Sequence, residues 1–313
     1  MRTGRRALLA LAAAPALPRP AAARSPAVEM LVGAPAGTPT DLWARGAAPF
    51  LERRLPRLAV AVRNLPGRGG LEAVAQLLAA PADAKAIAVI TTPALLVRAI
   101  EAGEAPPSGR VVPLASLVEE PVVLVAGHAG PADLGALRAL GDRATIGTPP
   151  PGTAAHVASL RFDGKLDLPR LAFPSAMAAR QAALSGHVAA AVIGLPEAIQ
   201  GLREGRLTGL GLAAPRRSAL LPDLPTLREQ GVDLVALAQR GFAVAPTAAP
   251  DWRATLVAAI EAVAADPDFV EHCAGTGQSP RFQGPEAWAR QLDRVDAELR
   301  QRWQQEPWLP RRA

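Results

Sequence analysis

Short apolar runs alternate with helix-period segments along most of this chain. The runs at Val28–Val32, Leu58–Val62, Ile87–Ile90, Val111–Leu117, Val122–Ala126, Val188–Ile193 and Leu207–Ala213 read as strands. Helical patterns follow at about Leu71–Ala80, Leu134–Leu140 and Thr153–Leu160. In a helix predicted after Thr38, Ala44, Ala47, Ala48, Leu51 and Leu55 line one face. Near the C-terminus Trp288, Leu292, Val295, Leu299 and Trp303 recur at helical spacing. Strands that hand over to helices in this way bury their edges in mostly parallel sheets, so the fold class is α/β. Half of the 313 residues are hydrophobic, enough for a sizeable core, and no repeat of fixed period is visible.

Two apolar strands, Val122–Ala126 and Phe242–Ala245, bracket a long stretch of βα pattern. A domain inserted in another is joined by two such strands, and a cleft lies between the lobes. The expected division is lobe 1 over residues 25–121 plus 246–313, lobe 2 over 127–241, and hinge strands at 122–126 and 242–245. Hinge closure around a ligand is the motion expected of that body.

The N-terminus has the parts of an export signal: basic Met1–Arg6, apolar Ala7–Leu17, and small residues Ala21-Ala22-Ala23 for cleavage. Residues 1–24 are therefore expected to be a signal peptide, for the general secretory or the twin-arginine route. No later stretch reaches eighteen apolar residues, so a soluble mature protein is expected. The formal net charge of +6 falls to +2 once Arg2, Arg5, Arg6 and Arg19 are set aside. There is no basic stripe and no Tyr, which argues against nucleic acid as a partner. Cys273 is alone and cannot form an internal disulfide.

Catalytic signatures are missing. The chain has no G-x-S-x-G elbow and no phosphate loop ending in Lys-Ser/Thr. His128, His156, His187 and His272 show no metal-ligand spacing, and His272 reads as a surface residue. Gly209-Leu-Gly-Leu-Ala-Ala214 matches a dinucleotide fingerprint on paper, but it lies in an apolar strand-like run followed by Pro215. Gly67-Arg-Gly-Gly70 joins a strand to a helix and reads first as a tight turn. No catalytic residue, metal or cofactor is expected.

Two strand–loop–helix junctions remain. In Val32–Asp41, Thr38 suits an N-cap, Pro39 the first helical position, and Asp41 completes a capping box. In Thr148–His156, Gly152 supplies backbone freedom, and Thr153 caps a helix or turns its hydroxyl to a ligand. His156 faces the cleft or packs on the strand. Helix N-termini offer unpaired N–H groups to an anion, and two of them across a cleft would hold a carboxylate without a formal positive partner.

These residues resemble the Bug-type substrate-binding proteins of tripartite tricarboxylate transporters. Ala34-Pro-Ala-Gly-Thr-Pro-Thr-Asp41 is similar to their P-x-x-G-G-x-x-D loop, and Asn64-Leu-Pro-Gly-Arg-Gly-Gly70 to their N-x-P-G-A-G-G turn. Gly152-Thr153-Ala-Ala-His156 resembles their G-S/T-x-x-H helix start. Arg217-Ser218 with Leu221-Pro-Asp-Leu-Pro-Thr-Leu-Arg-Glu-Gln-Gly231 is the most specific match, and Phe242–Pro250 resembles a further strand and loop. The resemblance runs from about Val28 to Trp303.

It implies a two-lobed periplasmic binding protein of type II-like fold, exported to the periplasm, without catalysis or cofactor. The implied function is to capture a small organic carboxylate and deliver it to an integral-membrane permease. A ligand-sensing role that signals to a membrane sensor is the alternative, and a monomer is expected. Carried over by position, the ligand residues are Ala36, Gly37, Thr38 and Asp41, with Thr148, Thr153 and His156 opposite, and Thr91 and Thr92 lining the pocket. Asp41 is expected to cap the helix or meet an amino group. Ser175 is expected to add a hydroxyl to the pocket or to cap a helix. Thr38 stands where the family keeps Gly, Pro150 removes an N–H donor from the second loop, and Phe173-Pro-Ser-Ala176 replaces a P-Y-K-G turn.

Overall fold

A computed structural model describes residues 27–162, 166 and 168–309. The expected signal peptide lies outside the described residues. The chain opens with β1 (Ala27–Val32), α1 (Pro39–Arg54), β2 (Ala59–Asn64), α2 (Leu71–Leu78), β3 (Ala86–Thr92) and α3 (Ala94–Glu101). The long β4 (Val112–Gly127) leads to α4 (Leu134–Ala139), β5 (Ile146–Thr148), α5 (Ala154–Leu160), β6 (Arg170–Ala172) and α6 (Ala176–Leu184). Then come β7 (Ala190–Gly194), α7 (Leu195–Arg203), β8 (Leu207–Ala213) and β9 (Leu237–Val244). The chain finishes with α8 (Pro250–Ala264), α9 (Pro267–Gly275), β10 (Ser279–Gln283) and α10 (Pro285–Gln305).

The strands lie in the order β2-β1-β3-β9-β4-β7-β5-β6, with β8 and β10 also paired to β4. β1 pairs in parallel with β2 and β3, and β5 in parallel with β6 and β7. The antiparallel pairs all involve β4 or β9. A strand that leaves a lobe and one that returns must run in opposite directions, so the antiparallel contacts collect there.

The apolar runs at Val111–Leu117 and Val122–Ala126, expected as separate strands, form the single β4. Up to Pro121 it pairs with β9, and from Val122 it pairs with β7 and β8. Phe242 and Val244 pair with β3 or β4 on the far side of that change. Glu119-Glu120-Pro121 breaks the apolar pattern without breaking the strand. Buried Glu120 there receives Arg240 and the amide of Gln278.

Each side of the sheet has its apolar layer. Met30, Trp43, Leu51, Phe242 and Ile260 pack on one face near β1, and Leu31, Leu77, Ile90 and Trp288 on the other. Near β7 the two layers centre on Leu124, Ile146 and Phe162, and on Val123, Ile193 and Ile199. The alternation of Met30 and Leu31 between layers is the two-residue period of a strand covered on both faces. The expected α1 stripe from Ala44 to Leu55 is buried, as are Trp288, Leu292 and Leu299 of α10. The Gly209–Ala214 run is buried strand, closed over by Leu224 and Leu227 rather than by a helix start. The motif that follows folds on itself: Thr226 N donates to Glu229 Oε2 at 2.6 Å, and Glu229 N to Thr226 Oγ1 at 3.1 Å. That reciprocal capping pattern explains the Thr-x-x-Glu spacing as structural.

Candidate functional site

The β1–α1 loop is built around Asp41, which is almost fully buried. Its Oδ2 accepts from Gly37 N at 2.8 Å. Its Oδ1 accepts from Asn64 Nδ2 at 2.8 Å and from Arg45 Nε at 2.9 Å. Asn64 also donates to Ala34 O at 3.0 Å and accepts from Arg45 at 2.8 Å. The Gly37 N–H comes first, then Arg45 and Asn64, in holding the Asp41 carboxyl down at about 2. Two of the motifs recognised in sequence therefore meet in one hydrogen-bond cluster.

The capping box differs from expectation. Thr38 holds the N-cap position but makes no side-chain cap; its hydroxyl donates to Pro35 O at 2.7 Å. Gly37 at φ +80° turns its own N–H toward Asp41, so the carboxylate braces the residue before the cap. The first turn of α1 consequently has no cap from the Thr38 side chain. Ala36 and Gly37 are exposed and Thr38 is half-buried.

In the β5–α5 junction, Thr153 Oγ1 accepts from His156 N at 3.1 Å and donates to Pro150 O at 3.2 Å. Ser175 likewise caps α6, accepting from Ala178 N at 3.1 Å. These two hydroxyls, with Thr38, are engaged by their own loops. Thr148 is buried at the end of β5. His156 is buried, and its Nδ1 has no partner among the described residues. Burial first, and then Arg170, hold the imidazole down at about 4, so it is neutral at pH 7.

Thr91 and Thr92 point to opposite faces of β3, as consecutive strand residues must. Thr92, Ala154, Val157, Gln239 and Arg302 line a cavity of about 700 Å³ beside α10. Thr91 lies in register with Arg240 on the α1 side, and its Oγ1 is buried with no partner among the described residues.

Arg98 of α3, which the sequence reading passed over, links the two junctions. It packs against Gly69 and beside Gly152, donates to Pro151 O at 3.0 Å, and pairs with Glu101 at 2.5 Å. Gly70 in turn lies against Gly33, where any side chain would collide with the Gly70 backbone. A chain of contacts thus runs from the β1–α1 loop through the Gly67–Gly70 turn and Arg98 to Pro151. Leu96, Val97, Leu299 and Trp303 add an apolar seam against Val157 of α5. Only the tertiary structure shows this arrangement; a lone Arg in a helix carries no signal of it.

Among the described residues no group of His, Cys, Asp or Glu is arranged to hold a metal ion. No described helix is long and apolar enough to cross a membrane. Cys273 is buried, which pushes its thiol up to about 12, and His272 lies exposed beside Phe50 and Phe269.

The profile described as "Tripartite tricarboxylate transporter family receptor" (TctC) matches residues 44–305. No curated protein sequence matches the chain. Similar solved structures include a TctC solute binding protein from Polaromonas without ligand. It is 21% identical, with a TM-score of 0.78 over 90% of this chain and 99% of that one. The periplasmic binding protein BugD is 21% identical, with a TM-score of 0.71 over 89% and 97%. MatC from Rhodopseudomonas palustris, with bound malate, is 22% identical, with a TM-score of 0.69 over 88% and 98%. A further R. palustris protein, with adipate, is 17% identical, with a TM-score of 0.73 over 90% and 97%. These likenesses establish the fold.

Proposed function

The chain belongs to the tripartite tricarboxylate transporter receptor (TctC) family, and from that premise we propose that it is an exported, periplasmic solute-binding protein for a small organic carboxylate. It captures the acid between two lobes, residues 25–121 with 246–313 and residues 127–241, and delivers it to a membrane permease of the tricarboxylate type. The observation that carries this reading is the braced β1–α1 loop. Asp41, Asn64 and Arg45 satisfy one another and fix Gly37, while the first turn of α1 keeps its N–H groups uncapped. Uncapped N–H groups at the positive end of a sixteen-residue helix are suited to an anion.

Asp41 takes no part as a ligand to the acid, since its charge would repel it; its role is to hold the loop. Ala36, Gly37 and Thr38 meet the ligand from one side. Thr148, the Thr153 turn and neutral His156 meet it from the other, with Thr91, Thr92 and Ser175 at the margins. The malate and adipate held by two structural neighbours support diacids of four to six carbons as first probes.

A thermal-shift series with malate, adipate and amino acids tests the proposal. At one hundred times its dissociation constant a ligand stabilises the fold by about 2.7 kcal/mol, which raises Tm by several degrees. A melting temperature unmoved by every acid would remove this reading.

A further inference from the structure

Two stripes of α10 face the rest of the protein. Trp288, Leu292 and Leu299 are buried in the core, and beside them Arg294, Glu298 and Arg302 recur at four-residue spacing. That second stripe borders the cavity of about 700 Å³ beside α10. The opposite wall is made by Arg161, the residue that ends α5, by Arg228, and by residues 235–237 at the start of β9. Four guanidinium groups from separate parts of the chain therefore line one cavity, against the single carboxylate of Glu298 among the described residues.

Little of that charge is spent on the protein itself. Arg161 Nη1 donates to Val235 O at 2.8 Å, and Arg302 donates to Leu160 O. Arg228 Nε pairs with exposed Asp233 at 2.7 Å. Arg294 has no hydrogen-bond or ion-pair partner among the described residues. A guanidinium carries five N–H donors, so Arg161, Arg228 and Arg294 keep most of theirs for solvent or a ligand. A concave surface lined by one sign of charge concentrates the opposite ion. The floor of the cavity is apolar, with Val157 beside buried Ala236, Leu292 and Leu299.

We infer that this cavity is a second binding site, for a small organic phosphate. Its volume lies within the range of about 300–1,000 Å³ that small-molecule sites occupy. An apolar body would rest on the floor, with the phosphate among the arginines. A phosphate ester brings close to two negative charges and three acceptor oxygens. It can therefore engage guanidinium forks from opposite walls, whereas the two oxygens of a carboxylate match a single fork. Of the residues proposed to meet the carboxylate, only Thr92 borders this cavity, so the site goes beyond that proposal.

Calorimetric titration of the mature protein with phenyl phosphate, phenol and inorganic phosphate tests the assignment. Arg228→Gln combined with Arg294→Gln removes two exposed guanidinium groups from the cavity. Arg143→Gln combined with Arg216→Gln removes the same charge from exposed positions outside it. Melting curves verify that both double variants are folded. Phenyl phosphate is expected to bind the wild type about tenfold or more tighter than phenol or inorganic phosphate does. The cavity variant is expected to weaken it by about tenfold or more, and the control variant to leave it unchanged. No binding of phenyl phosphate, unchanged affinity in the cavity variant, or an equal loss in both variants overturns the site. Inorganic phosphate or phenol binding as tightly as phenyl phosphate overturns the organic phosphate as its ligand.

Discussion

Asp41 and His156 show how the same kind of junction is finished by different chemistry. Asp41 is ionised and saturated with donors; His156 is neutral and one of its nitrogens has no partner. Both make the fold less stable as pH falls, in different windows. The Asp41 contribution is present above its unfolded value and lost only as pH falls toward about 2. For His156 the folded imidazole resists protonation down to about 4, whereas the unfolded one takes its proton near 6.5. Below about 6.5 the unfolded chain therefore binds more protons, and stability falls as pH drops from 6.5 to 4 by roughly 3 kcal/mol from this group. Urea unfolding at a series of pH values checks this, with His156→Phe as the comparison. A wild type as pH-insensitive as the variant across that window would contradict the burial of a neutral imidazole. At this scale sequence was an incomplete guide. A link between Asp41 and the β1–α1 loop was legible, but its aim at Gly37 and the diversion of the Thr38 hydroxyl to Pro35 depend on a turn geometry that residue types do not specify. The buried Arg240 beside Trp43 was missed for a different reason. A single Arg inside the apolar run Leu237–Val244 was the one available signal.

Among the elements, the loops following β1, β2 and β5 behave as one unit. Gly33 touches Gly70, Arg98 touches Gly69, and Arg98 holds Pro151. The glycines permit these approaches: Gly70 at φ +104° and Gly152 at φ +95° adopt conformations that other residues rarely reach. Gly33→Ala forces its new methyl into the Gly70 backbone. Overpacking of that kind costs about 1–3 kcal/mol, and it displaces the loop that carries Gly37. Chemical denaturation reads the first effect and acid binding the second. Wild-type values in both would show that the loop contact carries no weight. Strands and helices themselves were largely visible as apolar runs and helical stripes. The exception, the fusion of two runs into β4, arose because Glu120 carries its charge into the sheet and neutralises it against Arg240. Hydrophobic patterning cannot anticipate a charge that finds its partner more than a hundred residues away.

For the whole molecule, the sheet runs without interruption from β2 to β6, and the apolar layers change where β4 exchanges β9 for β7 and β8. Two apolar strands bracketing a βα stretch led to the expected lobe division, and the family follows from motif order along the chain. The proposed ligand contacts were much less legible, because backbone groups whose aim is set by turns would make them. In the proposed function one carboxylate ligand is held by both junctions at once. Hydrogen exchange of the mature protein with and without the acid that most raises its melting temperature tests this directly. Slowed exchange is expected in residues 33–42 and 148–157 together, on addition of the same ligand. Protection confined to one of the two segments, or to neither, would contradict it.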